Sequence, residues 1–257
     1  MQTINITKKK DYAILQLQQG KVNAINYQLV KEVRSAMQAL QKDDTIRGVI
    51  IAGQPHYFSA GLDVIELYGL DKEGIRPFFR DFGNLYMELA RFPKPLIAAI
   101  TGHAPAGGTV IAMTCDYRVM TDGNKYTLGL NEVLVNVPLS EDIISGYAFW
   151  LGDGLSARYL LQGKLMTAKE AQAVGFVDEV CPLAEVLDKA EAQIQRYLGS
   201  NDRIFKDIKY RTRKDWINSL GQKGELAMEE TMEVWWQPEV RARMKMFVEM
   251  LQGKKKA

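Results

Sequence analysis

The chain has 257 residues, 47% apolar and 25% charged, with 33 Lys and Arg against 31 Asp and Glu. That composition suits a soluble globular protein and leaves no strong field for nucleic acid or an anionic membrane. No apolar run reaches the ~20 residues needed to span a bilayer, and two cysteines with two histidines are too few for a disulfide framework or a four-ligand zinc site. The Lys cluster within 1–10 follows the apolar residues instead of preceding them, unlike a signal peptide or transit segment. A cytoplasmic protein is expected.

In chain order, Ile4 and Ile6, then Ile14, Leu15 and Leu17, alternate as two short strands. Leu29, Val30, Val33, Met37 and Leu40 recur every three or four residues, which predicts a helix over 27–42 with Asn26 as its N-cap. The β-branched run closed by Gly53 is a buried strand. A helix over 75–92, broken by Pro93 and Pro95, leads to a strand over 96–100. This alternation predicts an α/β fold with parallel strands and right-handed crossovers. After a Pro-Ala-Gly-Gly turn come a short buried helix to Met113, a strand over 116–120, and helices over 141–151 and 155–161. Thr167 and Glu170 form a capping box for a helix ending at Gly175, followed by a strand over 176–180. From Leu183 only helical patterning remains, with a soft boundary at Gly199-Ser200. Lys254–Lys256 is expected to be a solvated, frayed end. The late helices are expected to expose Trp235, Trp236, Met244 and Phe247 and to pack against a neighbour, since ~60 helical residues have little interior of their own; as one narrow stripe these residues equally fit a core.

Three segments are candidates for chemistry. Phe58-Ser59-Ala60-Gly61-Leu62-Asp63 lies at the carboxyl end of a buried strand, where open α/β folds place ligands; it equally fits a plain turn with Ser59 or Asp63 as a cap. Ala106-Gly107-Gly108 opens a helix, whose free N–H groups can hold an oxyanion; its glycines equally fit tight packing. Neither a dinucleotide fingerprint nor a phosphate-binding loop is present. In Leu128-Gly129-Leu130-Asn131-Glu132-Val133, a carboxylate sits among apolar residues whose burial would make it a base near neutrality; taken alone, the segment fits better a glutamate that caps a turn or makes an ion pair. Ser59 lacks the G-x-S-x-G context of a nucleophile elbow, and nothing in the spacing of His56 or His103 requires either to serve a serine. Cys115 reads as a small core residue.

Taken together, R-G-V-I-I-A-G, F-S-A-G-L-D, K-P-L-I-A-A-I-T-G-H-A-P-A-G-G, A-M-T-C-D-Y-R, L-G-L-N-E and T-A-K-E-A-Q-A-V-G-F-V-D-E-V resemble the crotonase, or enoyl-CoA hydratase/isomerase, superfamily over roughly residues 1–198. The resemblance implies a spiral of ββα units over 1–198 carrying an acyl-CoA site. It also implies a helical trimerisation region over 199–257, in a homotrimer or dimer of trimers. It places two oxyanion-binding backbone N–H groups at Ala60 and Gly107, and substrate contacts at Ala60, Gly61, Leu62, Asp63, Val64, Gly107 and Gly108. Where hydratases of the family carry a glutamate in the helix after the glycine turn, this chain has Val110, and the family's second carboxylate falls on Glu132. The stretch from Asp116 to Glu132 is about two residues longer than in the common hydratase pattern. One glutamate, with A-P-A-G-G, T-C-D-Y-R and G-L-N-E, resembles the Δ3-Δ2-enoyl-CoA isomerase branch. In that reading Glu132 carries a proton from C2 to C4 of a 3-enoyl-CoA without metal or redox cofactor, CoA being part of the substrate. The rivals are hydration or thioester hydrolysis with Asp142 or Glu141 as second acid, and a non-catalytic scaffold binding RNA or protein, which the near-neutral charge does not favour.

Overall fold

The computed structural model describes residues 2–256, with side chains to residue 253. Strands β1 (Ile4–Lys8) and β2 (Tyr12–Leu17) form an antiparallel hairpin with Ile4 opposite Leu17. Helix α1 (Tyr27–Lys42) follows, and the Asn26 carboxamide caps it by accepting the Leu29 N–H at 3.0 Å. The chain then makes three similar turns. The first contains β3 (Gly48–Ala52), β4 (His56–Tyr57), α2 (Val64–Tyr68) and α3 (Lys72–Ala90). The second contains β5 (Leu96–Ile100), β6 (Gly102–Pro105) and α4 (Gly107–Ala112). The third contains β7 (Tyr117–Thr121), β8 (Thr127–Gly129) and α5 (Glu132–Val135). Helices α6 (Glu141–Leu151) and α7 (Asp153–Gln162), strand β9 (Met166–Thr167), helix α8 (Ala168–Ala173) and strand β10 (Glu179–Cys181) complete this part.

In each turn the first strand enters one sheet, ordered β1-β2-β3-β5-β7-β10, and the second enters another, ordered β4-β6-β8-β9. This is a spiral of ββα units. The switch between sheets is tight: a Cβ at Gly102 would lie 2.0 Å from the His56 carbonyl, so only glycine fits. Helix α9 (Val186–Leu198) covers the outer face of the larger sheet. Val49 and Ile51 therefore face the main core, while Ile50 and Ala52 face Val186, Ala190, Ile194 and Leu198. Two covered faces explain why these strands read as unbroken apolar runs.

Three expectations are corrected. The strand expected over 176–180 begins only at Glu179, because the Phe176 and Val177 N–H groups donate to the Ala171 carbonyl and wrap the end of α8; their side chains still plug the core. The backbone is helical through Lys256 where a frayed end was expected, and the side chains of Lys254–Lys256 lie outside the described residues. The largest change concerns α10 (Asp202–Ser219), α11 (Glu225–Trp235) and α12 (Pro238–Lys256). Trp235 and Met244 are buried within this same chain, and Trp236 and Phe247 are half-buried. The Trp235 ring meets Phe79 of α3 edge-on, centroids 5.1 Å apart. Part of the apolar face of the late helices is thus covered by α2 and α3 of the same chain, while Leu226, Met246 and Met250 stay exposed. Gly83 stands in mid-α3, where glycine costs about 0.5–1 kcal/mol relative to alanine. No helix among the described residues is long and apolar enough to cross a membrane.

Candidate active site

The loop after β4 and the turn before α4 meet at two glycines. A Cβ built on Gly107 would lie 3.4 Å from the Gly61 Cα and 3.5 Å from the Leu62 nitrogen, and one built on Gly61 would lie 3.4 Å from the Gly107 nitrogen. The two backbones therefore touch. Gly107 is the first residue of α4, so its N–H has no intrahelical acceptor. Parallel bridging of Ile25 with Leu62 uses the Gly61 carbonyl and the Asp63 N–H, which leaves the Leu62 N–H without a protein acceptor among the described residues. Here the expected donor pair changes. The Ala60 N–H is spent on the Val22 carbonyl at 2.9 Å and Ala60 is solvent-exposed, whereas Leu62 and Gly107 both line one cavity. Gly108 is a packing residue, its Cβ position only 2.8 Å from the Ser59 carbonyl oxygen. Asp63 caps α2 by accepting the Glu66 N–H.

Glu132 opens α5 and reaches the same cavity, which also meets Val110 and encloses about 410 Å³. Its residue is 4% exposed, and its Oε2 is buried without a hydrogen-bond partner. Burial pushes the carboxyl up to about 7, opposed only by the N–H groups of Glu132 itself and Asn131; no cation offsets the lost hydration. A carboxylate that titrates near neutrality in a cavity also lined by two residues with unspent N–H donors can move a proton at a carbon next to a carbonyl whose oxygen those donors stabilise. Beyond this end the cavity runs between α3, residues 137–143 and α11, past Phe79, Phe82, Leu139, Ile143 and Met228.

Residues 7–256 match the family described as enoyl-CoA hydratase/isomerase. The chain belongs to that family. A mouse protein named enoyl-CoA delta isomerase 1, mitochondrial, is 32% identical over 244 residues, covering 95% of this chain and 84% of the relative. A Mycobacterium tuberculosis protein named a probable enoyl-CoA hydratase is 32% identical over 186 residues, 72% of this chain and 70% of the relative. The crystal structure of human mitochondrial delta3-delta2-enoyl-CoA isomerase matches with a TM-score of 0.95 at 26% identity, covering 99% of this chain and 100% of that one. The protein is a crotonase-superfamily enzyme.

Within this crotonase fold the remaining candidates sort by position. Ser59 is a clip: its Oγ donates to the Asn23 carbonyl at 2.7 Å and accepts the Gly61 N–H at 3.1 Å. His56 bonds the Tyr126 hydroxyl, and neither histidine lines the cavity. Glu141 pairs with Lys223, while Ser140 caps α6. Asp142 does line the cavity, and its carboxylate accepts the Gly221 N–H at 3.0 Å. Among the described residues no three His, Cys, Asp or Glu side chains cluster as metal ligands do.

Sequence reasoning missed Thr109. Its hydroxyl donates to the Ala104 carbonyl at 2.6 Å and accepts the Gly129 N–H at 2.7 Å, while the Ala106 N–H donates to the Gly129 carbonyl. This knot ties the α4 turn to the strand that leads into Glu132. No local pattern marks it, since threonine in a short buried helix looks like filler. Thr109→Val leaves the Gly129 N–H without its acceptor, at an expected cost of about 1–3 kcal/mol in urea unfolding. Thr109→Ser, which keeps the hydroxyl, is expected to recover most of it.

Proposed function

We propose that this enzyme moves a double bond from C3 to C2 of an enoyl-CoA thioester. The thioester oxygen accepts hydrogen bonds from the Leu62 and Gly107 N–H groups. Glu132 takes the C2 proton, the electron pair spreads over the resulting dienolate, and the same carboxyl returns a proton to C4, giving the 2-trans-enoyl-CoA. The C2–H bond breaks, a C4–H bond forms, and nothing is consumed. The observation that carries this reading is a buried carboxylate with an unsatisfied oxygen in the cavity that Leu62 and Gly107 line. Each preorganised donor at such an oxygen is worth about 3–4 kcal/mol in the transition state. The proton leaves and returns on one side chain, so the chemistry needs no metal or redox cofactor, and CoA enters only as part of the substrate. In this reading the CoA portion passes the exposed Ala60 and the half-buried Leu62, Asp63 and Val64.

Val110 supports isomerisation over hydration. It occupies the position where family hydratases carry a glutamate, and an isopropyl group cannot polarise water. Asp142 favours a second reading, hydration or thioester hydrolysis, because it is another carboxylate on the cavity wall. Burial raises its carboxyl, while the Gly221 N–H lowers it. Incubation with a 3-enoyl-CoA and, separately, a 2-enoyl-CoA distinguishes the two. A shifted double bond without added water is expected; rapid 3-hydroxyacyl-CoA formation or release of free CoA overturns isomerisation.

A further inference from the structure

Phe79, Gly83 and Met87 are spaced by four on α3, so they form one row along the helix, and all three line the cavity. The two large members are held in place. Phe79 rests on Trp235, and Met87 lies so close to the α10–α11 turn that a Cβ at Gly221 would meet its sulfur at 2.9 Å. The middle member is empty. A Cβ at Gly83 would meet nothing within 4 Å, and its backbone is helical with no positive φ. Neither packing nor turn geometry calls for glycine, and helix propensity disfavours it. What the residue supplies is open volume opposite Ala227 and Met228 of α11. With the thioester at Leu62 and Gly107, the charged nucleotide of CoA stays in water and the apolar acyl chain must run inward, between α3 and α11.

We infer that Gly83 is a specificity-determining residue, whose missing side chain sets the length of acyl chain that the cavity admits. The inference rests on the acyl-CoA reading of the site and says which substrates that site accepts: enoyl-CoAs whose chain extends past the reacting carbons into the gap between Phe79 and Met87. Filling the gap converts the enzyme to one that prefers short chains, without touching the carboxylate or the amides.

The test compares the wild type with Gly83→Ala and Gly83→Leu on 3-hexenoyl-CoA and 3-dodecenoyl-CoA. The leucine variant is expected to keep kcat/KM for the short substrate within about twofold and to lose roughly 10-fold or more on the long one, with alanine between. Equal losses on both substrates, or no change on either, overturn the inference. Leucine and alanine are better helix formers than glycine, so the thermal midpoints are expected to hold or rise. If the leucine variant does not fold, the alanine variant decides by the same selective loss. Calorimetric binding of hexanoyl-CoA and dodecanoyl-CoA to the same proteins separates the two readings. A selective loss of dodecanoyl-CoA binding in an enzyme that shifts no double bond keeps the Gly83 inference and removes isomerisation. Isomerisation of both lengths unaltered by the variants removes Gly83 alone, and a wild type that binds neither ligand removes both.

Discussion

Replacing Glu132 by glutamine is expected to lower isomerisation by about 10²–10⁴-fold, the usual contribution of a positioned general base, while acyl-CoA binding survives. The amide keeps the shape of the carboxyl but cannot carry the proton. In the wild type the deprotonated form is the base, so kcat/KM is expected to rise with pH through about 7 and then level off. The variant's residual rate is expected to lack that rise. Retained turnover in the variant removes Glu132 from the mechanism.

The same substitution has an opposite effect on stability. The carboxyl titrates ordinarily at 4.5 and in the fold at about 7. Below the lower value it is protonated in both states and contributes no pH dependence. Between the two, the folded chain keeps a proton that the unfolded chain has lost, so stability falls as pH rises. Above the upper value the fold carries a buried, unpaired charge at a cost of ~3 kcal/mol. Glu132→Gln is therefore expected to unfold at higher urea than the wild type at about pH 8, by up to that amount, with the gap closing toward the ordinary carboxyl value. A gap that does not depend on pH removes the argument. In the proposed mechanism the charged form is the one that reacts, which accounts for the fold carrying this cost.

Asp116→Ala is expected to be the most damaging single change outside the cavity, at about 3–5 kcal/mol in urea unfolding. Asp116 meets Lys209 Nζ at 2.7 Å and Arg213 Nη2 at 3.0 Å, all three side chains being under 9% exposed, and it also accepts the Leu96 N–H at 2.8 Å. Removing it leaves two buried cations without a counter-charge and a strand N–H without an acceptor. Burial lowers the Lys209 ammonium, and Asp116 is the first of the groups that raise it again. Because Lys209 and Arg213 lie on α10, which leads to the Gly221 turn and α11 over the cavity, activity is expected to fail together with stability. The exposed pair of Asp207 and Arg211 on the same helix provides the contrast. Asp207→Ala is expected to leave the urea midpoint nearly unchanged, because solvent already screens that pair. Similar losses in the two variants contradict the burial argument.

Much of this could be read along the chain. Asn26, the apolar period of α1 and the Thr167 capping box act within a few residues, where local hydrogen bonds and helix geometry decide. The run 49–52 announces a strand covered on both faces. The glycine turn at 107 announces free amides because every helix start has them. Phe176 and Val177 show the limit of local reading, since an apolar pair reads as strand whether its amides pair with a sheet or curl back onto Ala171.

The amino-acid order by itself determined the alternation of helix and strand, the motifs that carry the family resemblance, and the presence of a lone glutamate among apolar neighbours after residue 129, because periodicity and short motifs are properties of adjacent residues; the short second strand of each ββα unit left no such periodic mark. Tertiary structure decided which amide is left without an acceptor. Val22 takes the Ala60 N–H and Ile25 aligns the next residues so that Leu62 is left free, a choice made by chain nearly 40 residues upstream. It also decided that the late helices close over their own chain's cavity and that Gly83 opens onto it. An apolar stripe states only that it must be covered, and burial of the stripe is equally favourable whichever surface covers it.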